Sequence, residues 1–170
     1  HVTDGQREIL LGTKKGITIR FKEDDVRSMG RTAHGVRGIT LEEGNKVIGM
    51  ETITPDSTTQ ILTVTEGGYG KRTPVNEYRV QGRGGKGIIS VKTTERNGLA
   101  VGFLQVRDGD EIMLMAAHGK VLRCKVDEFR EIGRNTQGVR ILDLEGAGDR
   151  VVAVARLAES VEVSPEEGGG

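Results

Sequence analysis

The chain has 170 residues, with 26 glycines, three prolines, one cysteine and 3% aromatic residues. This composition favours short β-strands joined by tight turns over a helical bundle. The single Cys124 excludes a disulfide framework and a cysteine zinc site, and it predicts a reducing, cytoplasmic compartment. No apolar run is long enough to predict a membrane span or a signal peptide. A start at His1 rather than Met predicts a fragment of a longer protein.

The formal net charge is zero, but the charge is segregated along the chain. Segments 12–40, 68–92 and 119–140 carry net charges of +4, +5 and +3, and the remaining segments are acidic. A partner responds to the local field rather than to the whole-chain sum. A neutral pI therefore does not argue against an anionic partner.

One sequence pattern occurs three times, at offsets of 52 and then 51 residues. Its shared positions are an acid, an apolar residue, Arg, two free positions, Gly, Arg, three free positions, Gly, and Val or Ile. The copies span 25–36, 77–88 and 128–139. Such recurrence predicts structural repeats, here units of about 6–55, 58–107 and 109–158 within a domain of 1–158.

Four short apolar or alternating segments in each unit predict four β-strands. In chain order they are 9–11, 17–21, 36–41 and 47–50, then 61–64, 69–75, 88–91 and 99–103, then 112–115, 121–126, 139–142 and 151–154. Gly16, Gly68 and Gly119 mark the turns after the first strand of each unit. Four strands in about 50 residues are typical of a propeller blade, so we predict an all-β, propeller-like fold of three four-stranded blades in an open arc. The acidic segment 159–170 has few core residues and is predicted to be a disordered tail.

The central copy contains a glycine-rich loop, Gln81–Gly87, which we call the box. Glycines let the backbone approach a ligand and adopt positive φ, while Arg and Lys supply charge and hydrogen-bond donors. We predict a phosphate-binding loop, although glycines also suit a tight connection with solvated cations. The predicted contact residues of the box are Gln81, Arg83, Gly84, Gly85 and Lys86.

Arginines recur at like positions of the three units and predict a basic rim. Those predicted to contact nucleic acid are Arg20, Arg72 and Arg123, then Arg31 and Arg134 beside Arg83, with Lys71, Arg37 and Arg140 as neighbours. A further set, Arg27, Arg79 and Arg130, lies two residues after an acid in each unit, so those three arginines can instead form ion pairs with Glu or Asp.

Other chemistry is poorly supported. Gly82, Gly84 and Gly87 match G-x-G-x-x-G, but the following segment 88–91 is predicted to be a strand, whereas that motif needs a helix to bind a pyrophosphate. We therefore predict no cofactor. The three histidines lack metal-ligand spacing and no catalytic arrangement is visible, so we predict neither a metal site nor a catalytic residue.

Several longer motifs carry a family resemblance. They are Gly67-Gly68-Tyr69-Gly70-Lys71-Arg72-Thr73, Lys92-Thr93-Thr94-Glu95-Arg96-Asn97-Gly98-Leu99 and Gly133-Arg134-Asn135-Thr136-Gln137-Gly138-Val139. With the box, they resemble the last half of the carboxy-terminal domain of the DNA gyrase A subunit, over essentially residues 6–158. The family box is normally Gln-Arg-Arg-Gly-Gly-Lys-Gly and lies in the first blade. Here Gly82 replaces its first arginine and the box lies in the next-to-last unit, so it is either a working box or a degenerate later copy.

The resemblance implies a β-pinwheel, a propeller relative normally of six blades, that wraps double-stranded DNA around a basic rim. It implies a cytoplasmic, nucleoid-associated part of an ATP-dependent type II topoisomerase, an isomerase, whose catalytic residues lie outside this chain. The implied partners are DNA, the gyrase B subunit, plus the rest of the gyrase A subunit. We predict non-sequence-specific DNA binding, bending and wrapping that directs negative supercoiling. The alternative is a propeller-like protein-interaction scaffold without DNA binding, and salt dependence of DNA affinity would separate the two.

Overall fold

The structure, a computed structural model, describes residues 1–157; the predicted tail at 159–170 lies outside these residues. Regular structure in this part of the chain consists of β-strands and three short 3₁₀ turns. The strands are β1 (Glu8–Thr13), β2 (Ile17–Lys22), β3 (Val47–Ile53), β4 (Gln60–Thr65), β5 (Tyr69–Pro74), β6 (Ile88–Ile89), β7 (Ala100–Val106), β8 (Glu111–Ala116), β9 (Val121–Lys125), β10 (Val139–Arg140) and β11 (Val151–Arg156). The predicted all-β class is confirmed.

Three antiparallel sheets follow one another, which we call blades 1, 2 and 3. Blade 1 has the order β3-β1-β2-β6, blade 2 has β10-β5-β4-β7, and blade 3 has β11-β8-β9. Each blade is centred on a hairpin whose turn contains a glycine at positive φ, with Gly16 and Gly68 both at +78°. These turns are where the sequence predicts them, because left-handed backbone conformations favour glycine.

The strand that follows each box pattern lies in the sheet of the preceding unit, contrary to the prediction of four strands within each unit. β6 pairs with β2, placing Ile88 opposite Thr18, and β10 pairs with β5, placing Val139 opposite Gly70. Segment 36–41, predicted to be a strand, is irregular. The exchange of strands fixes each box loop against the edge of the preceding blade.

Apolar side chains between the blades form the core. The cluster between blades 1 and 2 includes Leu10, Ile53, Ile61, Tyr78 and Phe103, all buried. The cluster between blades 2 and 3 includes Leu62, Val64, Ile112, Leu114, Phe129 and Val151. Burial of a side chain of this size contributes about 1.5–3 kcal/mol, so contacts between successive blades stabilise the domain. A third cluster, Ile9, Ile19, Phe21 and Ile39, lies within the first unit.

No helix in residues 1–157 is long and apolar enough to cross a membrane.

Candidate nucleic-acid interface

The backbone of the box is fixed against blade 1 by hydrogen bonds. The N–H of Gly84 donates to the carbonyl of Gly38 at 2.8 Å, and the N–H of Thr40 donates to the carbonyl of Gly85 at 2.8 Å. The Thr40 hydroxyl also donates to the carbonyl of Gly84 at 2.7 Å. The box is therefore an ordered loop, which reduces the entropy lost when it binds a ligand.

The last glycine of the box is required by the close approach of two backbones. Gly87 has φ of +78°, and a Cβ at this position would lie 2.6 Å from the carbonyl oxygen of Thr18. Gly138 repeats this geometry in the next unit, with φ of +79° and a Cβ position 3.0 Å from the oxygen of Gly70. Strand exchange between units thus explains this glycine in the second and third copies of the pattern.

The two half-buried box arginines occupy equivalent places on successive blades. Arg83 donates from Nε to the carbonyl of Asp25 at 2.8 Å and from Nη1 to that of Arg37 at 2.6 Å. Arg134 donates from Nη1 to the carbonyl of Ile89 at 2.7 Å, and Ile89 is the repeat equivalent of Arg37. A guanidinium has five N–H donors, so each box arginine keeps donors for an anion after this anchoring.

Several predicted contact residues have exposed side chains. Lys86 of the box is exposed, and no hydrogen bond or ion pair engages its ammonium group within residues 1–157. The same is true of Arg31 in the first unit. Arg37, Arg123 and Arg140 are also exposed, with Arg123 paired to Glu111. These cations can exchange solvent for phosphate without breaking the fold.

Arg20 is not on the surface, contrary to the predicted rim. Its guanidinium is buried in an ion pair with Glu8 and donates to the carbonyls of Val75 at 2.9 Å and Tyr78 at 3.0 Å. A buried charge with all of these partners stabilises the contact between two units and has no free face for DNA. We therefore remove Arg20 from the candidate contacts.

Arg72 has the same role one blade further along. Its Nε donates to the carbonyl of Phe129 at 2.8 Å, and its Nη1 contacts Gln60 at 3.1 Å and pairs with Asp108. Only 15% of its side chain is exposed, so it too is removed from the candidate contacts. The sequence carries a signal for this role, because Glu8, Gln60 and Glu111 lie twelve residues before Arg20, Arg72 and Arg123.

Lys71 is also buried, contrary to its predicted place at the interface. Its Nζ donates to the carbonyls of Gly133, at 2.6 Å, and Arg134, and to the hydroxyl of Thr136 at 3.0 Å. The pKa of Lys71 is lowered from 10.5 to about 8, mainly by burial; Glu77 opposes this shift and Arg134 adds to it. Lys71 therefore holds the box pattern of the third unit rather than a ligand.

A cavity of about 300 Å³ lies beside the box, between Lys86 and the loop of the first unit that contains Glu42 and Asn45. In the next unit the residues equivalent to Glu42 and Lys86 are joined directly, since the Thr94 hydroxyl donates to Gln137 Oε1 at 3.2 Å. The Gln81 side chain contributes little to a surface, since its Nε2 is buried without a hydrogen-bond partner within residues 1–157. Gln81 instead joins the units, its N–H donating to the carbonyl of Arg20 at 2.7 Å.

The alternative for Arg27, Arg79 and Arg130 was pairing with the preceding acids. All three are exposed, and none forms an ion pair in the part of the chain that the structure describes. They join the exposed cations of the candidate interface. Arg96 is a further exposed cation that was not predicted, and its Nε donates to the hydroxyl of Tyr69 at 2.9 Å. Its presence in the motif at 92–99 was the only available signal.

No group of His, Cys, Asp or Glu in residues 1–157 is arranged to hold a metal ion. Repeated sheets with exchanged strands define a β-propeller-like domain that carries exposed cations. The chain belongs to the DNA gyrase C-terminal domain, beta-propeller family, which matches residues 7–54, 59–107 and 110–158.

The chain resembles the DNA gyrase A subunit of Haloquadratum walsbyi, with 46% identity over 168 residues, 99% of this chain and 20% of the relative. It is 50% identical to the DNA gyrase A subunit of Klebsiella oxytoca over 161 residues, 95% of this chain and 18% of the relative. It therefore spans about a fifth of these relatives, matching their C-terminal part.

Two solved structures have the same fold. The C-terminal domain of DNA topoisomerase IV has a TM-score of 0.85 and 30% identity, covering 92% of this chain and 48% of that one. The DNA gyrase A C-terminal domain has a TM-score of 0.81 and 29% identity, covering 92% of this chain and 52% of that one.

Proposed function

We propose that this chain binds double-stranded DNA without sequence preference and bends it, as a non-catalytic accessory part of a DNA gyrase. The observation that carries the proposal is the set of exposed cations around an ordered box. Arg31, Arg37 and Lys86 have no side-chain partner within the described residues 1–157, and Arg83 is anchored by the carbonyls of Asp25 and Arg37. Family membership supports the same proposal.

The binding energy in this proposal is electrostatic. Each cation that neutralises a phosphate releases a condensed counterion. The slope of log affinity against log salt concentration therefore becomes more negative by about 0.9 for each phosphate neutralised. Bending a site of 20–30 bp costs on the order of 1–6 kcal/mol, which contacts on successive blades would offset. Phosphate contacts position the duplex but do not read its sequence.

In the whole enzyme, this wrapping would direct strand passage towards negative supercoiling. The partners would be DNA, the gyrase B subunit, plus the remainder of the gyrase A subunit, in the bacterial cytoplasm at the nucleoid. The cleavage and ATPase chemistry would belong to those other parts. The N–H of Gly84 donates to Gly38 and its carbonyl accepts from Thr40, so Gly84 is removed from the candidate contacts. Proposed DNA contacts on this chain are Arg27, Arg31, Arg37, Arg79, Arg83, Gly85, Lys86, Arg123, Arg130, Arg134 and Arg140.

Titration of a fluorescent duplex of about 40 bp at several salt concentrations between about 50 and 200 mM tests the proposal. We expect equal affinities for unrelated sequences and a steep negative slope. The R83Q/K86Q variant should flatten that slope by about 1.8 if both cations neutralise phosphates. R107Q/R150Q, which removes two exposed arginines outside the proposed set, is the matched control. Absence of duplex binding at low salt would contradict the proposal and leave the scaffold role.

A further inference from the structure

Tyr69, the first residue of β5, holds two arginines against one buried aromatic ring. Its hydroxyl accepts hydrogen bonds from Arg96 Nε at 2.9 Å and from Arg140 Nη2 at 3.1 Å. The two guanidinium carbons lie 5.3 and 5.4 Å from the ring centroid. Arg140 is directly opposite Tyr69 in the β5–β10 pairing, whereas Arg96 comes from the loop 92–99. Two exposed like charges are therefore held at one place.

The loop that carries Arg96 is rigidly attached. Asn97 is fully buried, and its Nδ2 donates to the carbonyls of Lys92 at 2.9 Å and Gln137 at 3.0 Å. Its Oδ1 accepts the N–H of Thr94 at 2.7 Å. Because the neighbouring residue is fixed in this way, Arg96 is positioned before any ligand binds.

The hydrogen bonding around the Tyr69 hydroxyl is incomplete. A phenol can accept two hydrogen bonds and donate one. Both observed contacts come from arginine donors, and within residues 1–157 the Tyr69 proton has no acceptor. Arg96 has no acid partner in this part of the chain, and Arg140 has only the exposed Asp143 at 3.6 Å. The excess of donors and of positive charge indicates an anion site.

The fold does not require this arrangement. The equivalent places in blade 1 are occupied by Ile17, Gly44 and Ile89, and Ile17 pairs with Ile89 just as Tyr69 pairs with Arg140. In blade 1, an apolar pair thus occupies the positions that Tyr69 and Arg140 occupy in blade 2. A purely structural role would not need two cations here.

We propose that Arg96, Arg140 and the Tyr69 hydroxyl together bind one phosphate group, namely a phosphodiester of duplex DNA. The inference rests on the proposed function and adds a contact on blade 2, whereas the box is attached to blade 1. Guanidinium groups match the oxygens of a phosphate and can bind it through two donors each. The hydrogen bonds from Arg140 and then Arg96 also lower the pKa of the Tyr69 hydroxyl, which strengthens it as a donor.

The chain has two tyrosines and no tryptophan, so NMR of the protein labelled with ¹³C at the tyrosine rings reports the site directly. Tyr78 is an internal control, because it is fully buried and bonded to Ser90 at 2.8 Å. Spectra of Y78F assign the Tyr69 resonance. The probes are inorganic phosphate and a duplex of about 40 bp, which separate a site for any phosphate from one that needs the DNA backbone.

We expect both probes to shift the Tyr69 resonance saturably while Tyr78 stays fixed. R96Q/R140Q should abolish the shift of the Tyr69 resonance by inorganic phosphate and flatten the duplex salt slope by about 0.9, the value for one phosphate. R107Q/R150Q should leave the Tyr69 shift intact. Y69F keeps the ring but removes the hydroxyl and, with it, the tyrosine signal, so this variant is tested by duplex titration. Its duplex affinity should be weaker than that of the unaltered chain, with an unchanged melting temperature showing that the fold is retained.

A Tyr69 resonance that stays fixed at saturating duplex would overturn the site and leave DNA binding by the domain standing. Response to the duplex alone would assign the site to the DNA backbone rather than to free phosphate. If the unaltered chain binds no duplex, the proposed function fails. The phosphate titration then decides the inference, since a saturable shift upholds the anion site and no shift overturns it.

Discussion

Replacement of Lys71 by Met should change how the stability of the domain depends on pH. Lys71 is fully buried, and burial is the main cause that lowers its pKa from 10.5 to about 8. This difference corresponds to a cost of about 3 kcal/mol for keeping the ammonium charged in the folded state. Met has a similar length, but it has no charge and no donors.

The sign follows from proton binding in the two states. Between pH 8 and 10.5 the folded chain has released the Lys71 proton, whereas the unfolded chain still binds it. The free energy of unfolding therefore gains a contribution that rises with pH across this window, by up to about 1.4 kcal/mol per pH unit. The contribution is absent in K71M, so the stability of the unaltered chain minus that of K71M should increase by about 2–3 kcal/mol from pH 7 to pH 10.

The same comparison separates charge from hydrogen bonding. At pH 7, K71M leaves the carbonyls of Gly133 and Arg134 without their Lys71 donor, at about 1–3 kcal/mol each. Burial raises the pKa of Cys124 to about 11 and that of Tyr78 to about 12, and both effects lower stability at high pH. They are common to both proteins and cancel in the difference.

Urea unfolding followed by circular dichroism at several pH values gives this difference directly. If the stability difference between the unaltered chain and K71M is constant from pH 7 to 10, Lys71 does not have the lowered pKa that its burial predicts. A stability difference that decreases with pH would contradict the predicted sign of the pH dependence.

Other expected outcomes concern the repeats, the box and the tail. In urea unfolding, E8Q should destabilise the domain by about 3–5 kcal/mol, because it leaves the buried Arg20 unpaired. The equivalent E111Q should cost about 0–1 kcal/mol, because Glu111 is half-buried and its partner Arg123 is exposed. Equal effects would contradict the burial of the first pair. G87A should lower the free energy of unfolding by about 1–3 kcal/mol through strain at positive φ, and an unchanged urea midpoint would count against the strand exchange. Truncation after Ala158 should tighten duplex binding at low salt, since the acidic segment would no longer compete for the cations; unchanged affinity would exclude competition.

Hydrophobic alternation and the repeat offsets were sufficient to predict the all-β class and most strands. They could not predict that β6 and β10 join the sheet of the preceding unit, because periodicity shows which face of a strand is apolar but not which strand is its neighbour. Segment 36–41 has the same pattern as these strands and is irregular, since strand formation depends on a partner edge.

The candidate site was predicted in part for a related reason. Recurring arginines look alike in sequence whether they are exposed, like Arg31, or buried between units, like Arg20. The carbonyls that receive Arg20 lie 55 and 58 residues away, so only the folded chain brings donor and acceptors together. Lys71 was wrongly predicted to lie at the interface for the same reason, because its hydrogen-bond acceptors belong to the next unit.

Ligase-catalysed cyclisation of a duplex of about 150 bp, the persistence length of DNA, tests the central claim most directly. If the chain binds and bends DNA through its exposed cations, saturating protein should accelerate ring closure for unrelated sequences. R83Q/K86Q should accelerate closure less than R107Q/R150Q at equal occupancy. Saturated DNA that closes at the rate of free DNA would contradict bending, and equal behaviour of the two variants would contradict the role of the box.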